Sequence, residues 1–93
     1  MNCKDFDFTG FQRFYIDLKL PLMYIKGSKG LLACGYFNHD TFTRTGEACA
    51  IVSGVANFDD MLAATVGEAS RAAIGLGVRV GVTKGWEALE LFR

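Results

Sequence analysis

At 93 residues the chain holds enough sequence for one hydrophobic core and too little for two, because each half alone would bury too small a surface to stay folded. Ten Lys and Arg cancel ten Asp and Glu, which removes the main electrostatic motive for binding nucleic acid or an anionic bilayer. Hydrophobic residues make up 51% of the sequence, with eight Phe, three Tyr, one Trp and a single Pro, which excludes a disordered segment or a Pro-rich linker.

Met1 to Gly10 carry Lys4, Asp5 and Asp7 and no apolar run of signal-peptide length, so we expect a cytoplasmic protein. Lys19, Lys26, Lys29, Arg44, Arg71 and Arg79 interrupt every stretch before it reaches about 18 apolar residues, so no membrane-spanning helix is expected. Cys3, Cys34 and Cys49 are odd in number and lack CxxC spacing, which in a reducing compartment predicts free thiols.

Phe6 and Phe8 alternate with Asp5 and Asp7, Thr9-Gly10 signals a turn, and Phe14, Ile16, Leu18 and Leu20 alternate with Arg13, Tyr15, Asp17 and Lys19. Period two predicts a long strand with one face buried and the other polar. Pro21, which cannot donate to a ladder, marks a strand boundary before Leu22-Met23-Tyr24-Ile25. Lys26-Gly27-Ser28-Lys29-Gly30 then leads to Leu31 through Phe37, predicting a β-hairpin whose glycines supply positive φ at a solvated tip. Asn38 is placed to cap a short helix through Asp40, Phe42 and Arg44 that stops at Gly46.

Ala48 to Val55 is nearly uncharged and reads as a central strand covered on both faces, with Gly54 at a close backbone approach. Asn57 opens a helix over 57–66 with Phe58, Met61, Leu62 and Val66 on one stripe. Thr65 and Glu68 fit a capping box for a second helix, with Ala69, Ala72, Ala73 and Leu76 inward and a stop near Gly75 or Gly77. Val78 to Val82 alternates as a short strand, and Thr83 caps a last helix with Trp86, Leu89 and Phe92 inward and Glu87 and Glu90 outward. No repeat or linker divides the chain. The expected fold is one α+β domain over residues 1–93: a mostly antiparallel sheet of about five strands with a β-hairpin, covered by three main helices and one short helix.

Four blocks, Lys26-Gly27-Ser28-Lys29-Gly30, Ala33-Cys34-Gly35-Tyr36, Gly54 through Leu62, and Leu76-Gly77-Val78 with Gly81 and Gly85-Trp86-Glu87-Ala88-Leu89, together resemble the YunC-like family of small bacterial and archaeal proteins, a domain of unknown function. The resemblance spans roughly residues 8–92 and implies a small stand-alone α/β domain with no assigned activity. It includes the Cys34-Gly35 pair at the end of the hairpin, and departs at Ala56, where some bacterial members carry an arginine, which weighs against a shared anion-binding role there.

Cys34, with His39 and Asp40 close behind it, supplies the thiol, base and orienting carboxylate of a covalent nucleophile; against this, a strand cysteine among Leu32, Ala33 and Tyr36 is ordinarily a small buried hydrophobe. No second thiol or histidine stands at ligand spacing, so neither a metal nor a cofactor is expected. Asp59 and Asp60 serve the first turn of their helix, and the Lys26–Gly30 loop lacks the spacing of a phosphate-binding loop. Gly81, Thr83, Lys84 and Gly85 surround a helix N-terminus suited to a small anionic ligand, although glycines as helix stops and packing positions explain the same pattern. Because so short and apolar a chain leaves aromatic surface uncovered, we expect a homo-oligomeric binding or accessory protein. The alternatives are an enzyme with Cys34 as nucleophile and a protein-interaction subunit without a small ligand.

Overall fold

The structure, a computed structural model, describes residues 6–93. Five strands, β1 (Gln12–Ile16), β2 (Leu22–Lys26), β3 (Leu31–Ala33), β4 (Cys49–Ile51) and β5 (Glu68–Ala69), form one sheet in chain order. β3 and β4 run parallel and the other neighbours antiparallel. Four helices, α1 (His39–Thr45), α2 (Phe58–Ala63), α3 (Arg71–Gly75) and α4 (Gly85–Phe92), complete the α+β fold. Among the described residues, none of these helices is long and apolar enough to cross a membrane.

Side-chain alternation divides the sheet into two unequal faces. Met23, Ile25, Leu32, Ala50 and Val52 point to the face covered by α2, α3 and α4, where they pack with Met61, Leu62, Ala73, Ala88, Leu89 and Phe92. Leu31, Ala33, Cys49 and Ile51 point the other way and meet Tyr24, Phe37 and the α1 residue Phe42 in a smaller cluster. The second cluster exists because α1 is the crossover of a β3-α1-β4 unit: parallel neighbours cannot be joined by a tight turn, so the connection must lie over a face.

α1 forms where its caps predict. Asn38 Oδ1 accepts the Asp40 amide at 2.9 Å, and Gly46 ends the helix at φ 81°, a left-handed value that glycine adopts without penalty. The β2–β3 hairpin also forms, closed by Gly27 N–H to the Gly30 carbonyl at 2.8 Å, but neither glycine has positive φ. They serve close approach instead. A Cβ on Gly30 would crowd the Ala48 carbonyl at 2.8 Å, and Gly27, buried in spite of its place in the turn, abuts the carbonyl of Phe92.

Several sequence expectations are corrected. The long first strand reduces to Gln12–Ile16 and buries neither face, because it is an edge strand that α2 touches only through Phe58, against the Tyr15 ring and the Arg13 guanidinium. The expected helix over 57–66 stops at Ala63, and Val66 is buried beyond its end. Thr65 and Glu68 form no capping box: Glu68 and Ala69 are β5, and α3 is capped by Ser70, whose hydroxyl also donates to the Glu47 carbonyl and accepts the Cys49 amide. On α3, Ala73 is buried but Leu76, just past its end, is exposed. Val78 to Val82 is a turn rather than a strand: Val82 N–H bonds the Arg79 carbonyl, Gly81 has φ 82°, and only Val78 of the three valines is buried. Lys84, not Thr83, is the N-cap residue of α4.

Candidate functional site

The carboxyl ends of β3 and β4 lie side by side because the strands are parallel and in register, Ala33 opposite Ile51. Beyond them the chain leaves the sheet twice, through Cys34-Gly35-Tyr36 and through Ser53-Gly54-Val55-Ala56, and the two exits with Leu20 and Pro21 enclose a pocket of about 480 Å³. A crevice outside the carboxyl ends of parallel strands is where open α/β sheets receive ligands, since the chain diverges there and leaves space that packed elements do not fill.

Local chemistry shapes each wall. Cys34 N–H donates to the Met23 carbonyl at 3.1 Å while the Met23 amide reaches back to Cys34 Sγ at 3.4 Å, which pins the thiol at the end of the hairpin. Phe37 N–H returns to the Cys34 carbonyl and turns the chain, placing Gly35 and Tyr36 at the rim. On the opposite wall Val52 N–H makes the last bond of the parallel ladder, to the Ala33 carbonyl, before Gly54 turns at φ 72°. A Cβ on Gly35 would lie 3.4 Å from Ser53 Oγ, so the serine hydroxyl packs directly beside the bare backbone of Gly35. Leu20, Pro21, Tyr36, Val55 and Ala56 make the remaining wall mostly apolar.

Of the nucleophile candidates, the structure brings Cys34 to this pocket, with 3% of its surface exposed. Asp40 lies in the first turn of α1, exposed and not part of the pocket wall. His39 opens α1, and its side chain lies outside the described residues, as does Cys3. Cys49 is buried in the smaller cluster, where desolvation, aided by the charge of Glu47, pushes its thiol up to about 12. In native protein near neutral pH, iodoacetamide should therefore leave Cys49 intact and label Cys34 only slowly, as read by peptide mass spectrometry. Rapid labelling of Cys34 would overturn its structural role and favour the nucleophile.

Gly81, Thr83, Lys84 and Gly85 do converge, in a loop clamped onto residues 64–66. Gly81 N–H donates to the Val66 carbonyl, Gly85 N–H to the Ala64 carbonyl, and Lys84 Nζ to Thr65 Oγ1 at 2.9 Å. Thr83 Oγ1 accepts the Arg79 amide at 2.8 Å, and the Glu87 carboxylate accepts the Lys84 amide at 3.0 Å. These bonds join the loop to the α2 exit and start α4. Gly85 is the tightest point, because a Cβ would overlap the Met61 carbonyl oxygen.

Cys34 apart, the residues that line this pocket were not among the site candidates that pattern reading offered. The signal was the Ser53-Gly54 pair directly after an apolar run, absorbed in the expectation of a strand reaching Val55. The crystal structure of TA1206, a protein of unknown function from Thermoplasma acidophilum, matches with a TM-score of 0.77 at 32% identity over 89% of this chain and 93% of that one. No match is found among curated proteins. Residues 33–92, from the last residue of β3 through α4, match the family described as Domain of unknown function (DUF1805), and the chain belongs to that family.

Proposed function

We propose that this chain is a cytoplasmic, YunC-like, homo-oligomeric binding or accessory protein, a single domain over residues 1–93, that holds a small ligand with an apolar body and one polar end. The observation that carries this reading is the pocket at the carboxyl ends of β3 and β4, where a mostly apolar wall meets the Ser53 hydroxyl and the backbone of Gly35 and Gly54. Its volume of about 480 Å³ suits a metabolite-sized molecule. The apolar wall supplies affinity by burying surface, and the few polar groups fix orientation.

Native mass spectrometry on protein purified without added ligand tests assembly state and ligand retention together. The expected result is an oligomer carrying an added small mass, and Gly35→Leu, which extends a side chain toward Ser53, should lose that mass while circular dichroism is unchanged. A bare protein that also fails to bind the apolar anionic dye ANS would overturn the ligand. A second reading, an enzyme with Cys34 as nucleophile, is favoured by the thiol's position on the pocket wall and is decided by its alkylation rate.

A further inference from the structure

Among the described residues β1 is an open edge of the sheet, and all five of its residues are exposed. The hydrogen bonds of its neighbours determine which backbone groups it turns outward. Cys34 N–H bonds the Met23 carbonyl and Gly27 N–H the Gly30 carbonyl, so the odd-numbered residues of β2 face β3. Leu22, Tyr24 and Lys26 therefore face β1, where their register partners are Ile16, Phe14 and Gln12. A residue in an antiparallel ladder directs both its N–H and its C=O to the same side. Arg13 and Tyr15 thus turn theirs away from the sheet. Natural edges are commonly blunted by charged side chains, Pro or a bulge; β1, Gln-Arg-Phe-Tyr-Ile, carries a single charge, Arg13, has no Pro, and pairs with β2 in unbroken register. It presents Phe14, Tyr15 and Ile16 at 41%, 51% and 51% exposure.

We infer that β1 pairs antiparallel with β1 of a second copy of this chain about a two-fold axis through Tyr15, joining two five-stranded sheets into one. The inference rests on the homo-oligomeric reading above and supplies its surface. With the axis at Tyr15, Tyr15 opposes its own counterpart, Phe14 opposes the partner's Ile16, and Arg13 opposes the partner's Asp17. Every pair is repeated by symmetry, as an isologous interface requires. Phe14 and Ile16 lie on the sheet face opposite α2 and α4, where Phe14 already stacks on Tyr24 at 4.5 Å, so the new pairs extend an existing aromatic row. Arg13 and Asp17 carry no ion pair within the chain among the described residues. Other axes lose this match. An axis at Phe14 sets Asp17 against the partner's Phe11, one at Ile16 sets Arg13 against the partner's Lys19, and one at Arg13 sets two arginines together. Charge complementarity thus selects a single register from those the outward backbone groups permit.

Sedimentation velocity of the full chain at micromolar concentration should show a dimer. Asp17→Arg, at an exposed position, should raise the dissociation constant about tenfold or more, as should Arg13→Asp, and the variant carrying both should return to near the wild-type value. Arg13 also covers the Phe8 ring at 4.3 Å, so Asp17→Arg is the cleaner single variant, with circular dichroism confirming the fold. Tyr15→Cys in a Cys3→Ser background should form an intermolecular disulfide under mild oxidation, since directly opposed residues stand about 5.5 Å apart between Cα atoms. Arg13→Cys should not, because its two copies lie roughly 13 Å apart along the strands. A monomeric wild type overturns this interface and the homo-oligomer together. An oligomer indifferent to both charge reversals and lacking the Tyr15→Cys cross-link overturns this interface alone.

Discussion

Replacing Gly85 with alanine should cost ~3 kcal/mol or more of stability, against the usual expectation for a helix. Ala in place of Gly within a helix ordinarily stabilises by roughly 0.5–1 kcal/mol, because glycine loses more backbone freedom on folding. At Gly85 that gain is outweighed by sterics. The added Cβ would overlap the Met61 carbonyl oxygen and meet the Leu32 side chain at 3.1 Å, so the first turn of α4 must move away from α2. The displaced atom is backbone at the end of a packed helix, so no rotamer change relieves the clash. Retreat of α4 also loosens the seam where Met61, Leu62, Leu89 and Phe92 are fully buried, and stretches the Gly85 N–H bond to the Ala64 carbonyl. Gly75→Ala is the control: it lies in α3, its Cβ would meet nothing within 4 Å, and its φ is not positive. Urea melts at one fixed protein concentration should show Gly85→Ala far below wild type and Gly75→Ala level with it or above. Equal midpoints for Gly85→Ala and wild type would mean that α2 and α4 do not meet at this glycine.

The same glycine shows what one sequence does and does not disclose. Elements whose formation depends on local chemistry were legible: Asn38 and Gly46 bracket α1 because a side-chain oxygen and a left-handed backbone are needed at those two positions. The β2–β3 hairpin was legible for a similar reason, although its glycines are required by Ala48 and Phe92, residues distant in the chain. Period two misled twice. Val78-Arg79-Val80-Gly81-Val82 alternates as a strand does, yet Gly81 at positive φ turns the chain and Thr83 Oγ1 ties the turn at the Arg79 amide. Five residues hold too few repeats to separate a strand from a turn with valines in it. β1 alternates genuinely but buries neither face, because alternation reports pleat and not what lies above it. The true fifth strand, Glu68–Ala69, is too short for any period and exists because Gly67 N–H and Ser70 N–H reach the Ile51 and Cys49 carbonyls. The pocket follows the same logic. Cys34 stood out as a thiol near the end of the hairpin, but its opposite wall, Ser53-Gly54, is brought there by the parallel register of β3 and β4, a non-local pairing that no residue spacing discloses.

Leu62→Ala should lower stability by roughly 2–4 kcal/mol, through lost burial and the cavity left behind. Leu62 has no exposed surface, and α2 offers little to fill a void: it is six residues long, and beside Leu62 only Met61 is buried on it. The helix's N-terminal end is held by other means. Asn57 Oδ1 accepts the Asp60 amide at 2.7 Å, and the Asp60 carboxylate accepts the Ala56 amide at 3.0 Å, so α2 should persist in the variant and its loosened packing should appear as lost stability rather than lost helix. Asp59→Ala, on the exposed face of the same first turn, removes only a carboxylate favourable to the helix dipole and should cost a few tenths of a kcal/mol, roughly. The contrast isolates the core contribution, since both substitutions leave alanine, the best helix former, in one short helix. Against a typical folding free energy of about 5–15 kcal/mol, the leucine change removes a large share and the aspartate change almost none. Urea midpoints measured side by side decide it: Leu62→Ala matching wild type would mean that α2 does not face the sheet, and with it would go the layer that separates Met23 and Leu32 from solvent.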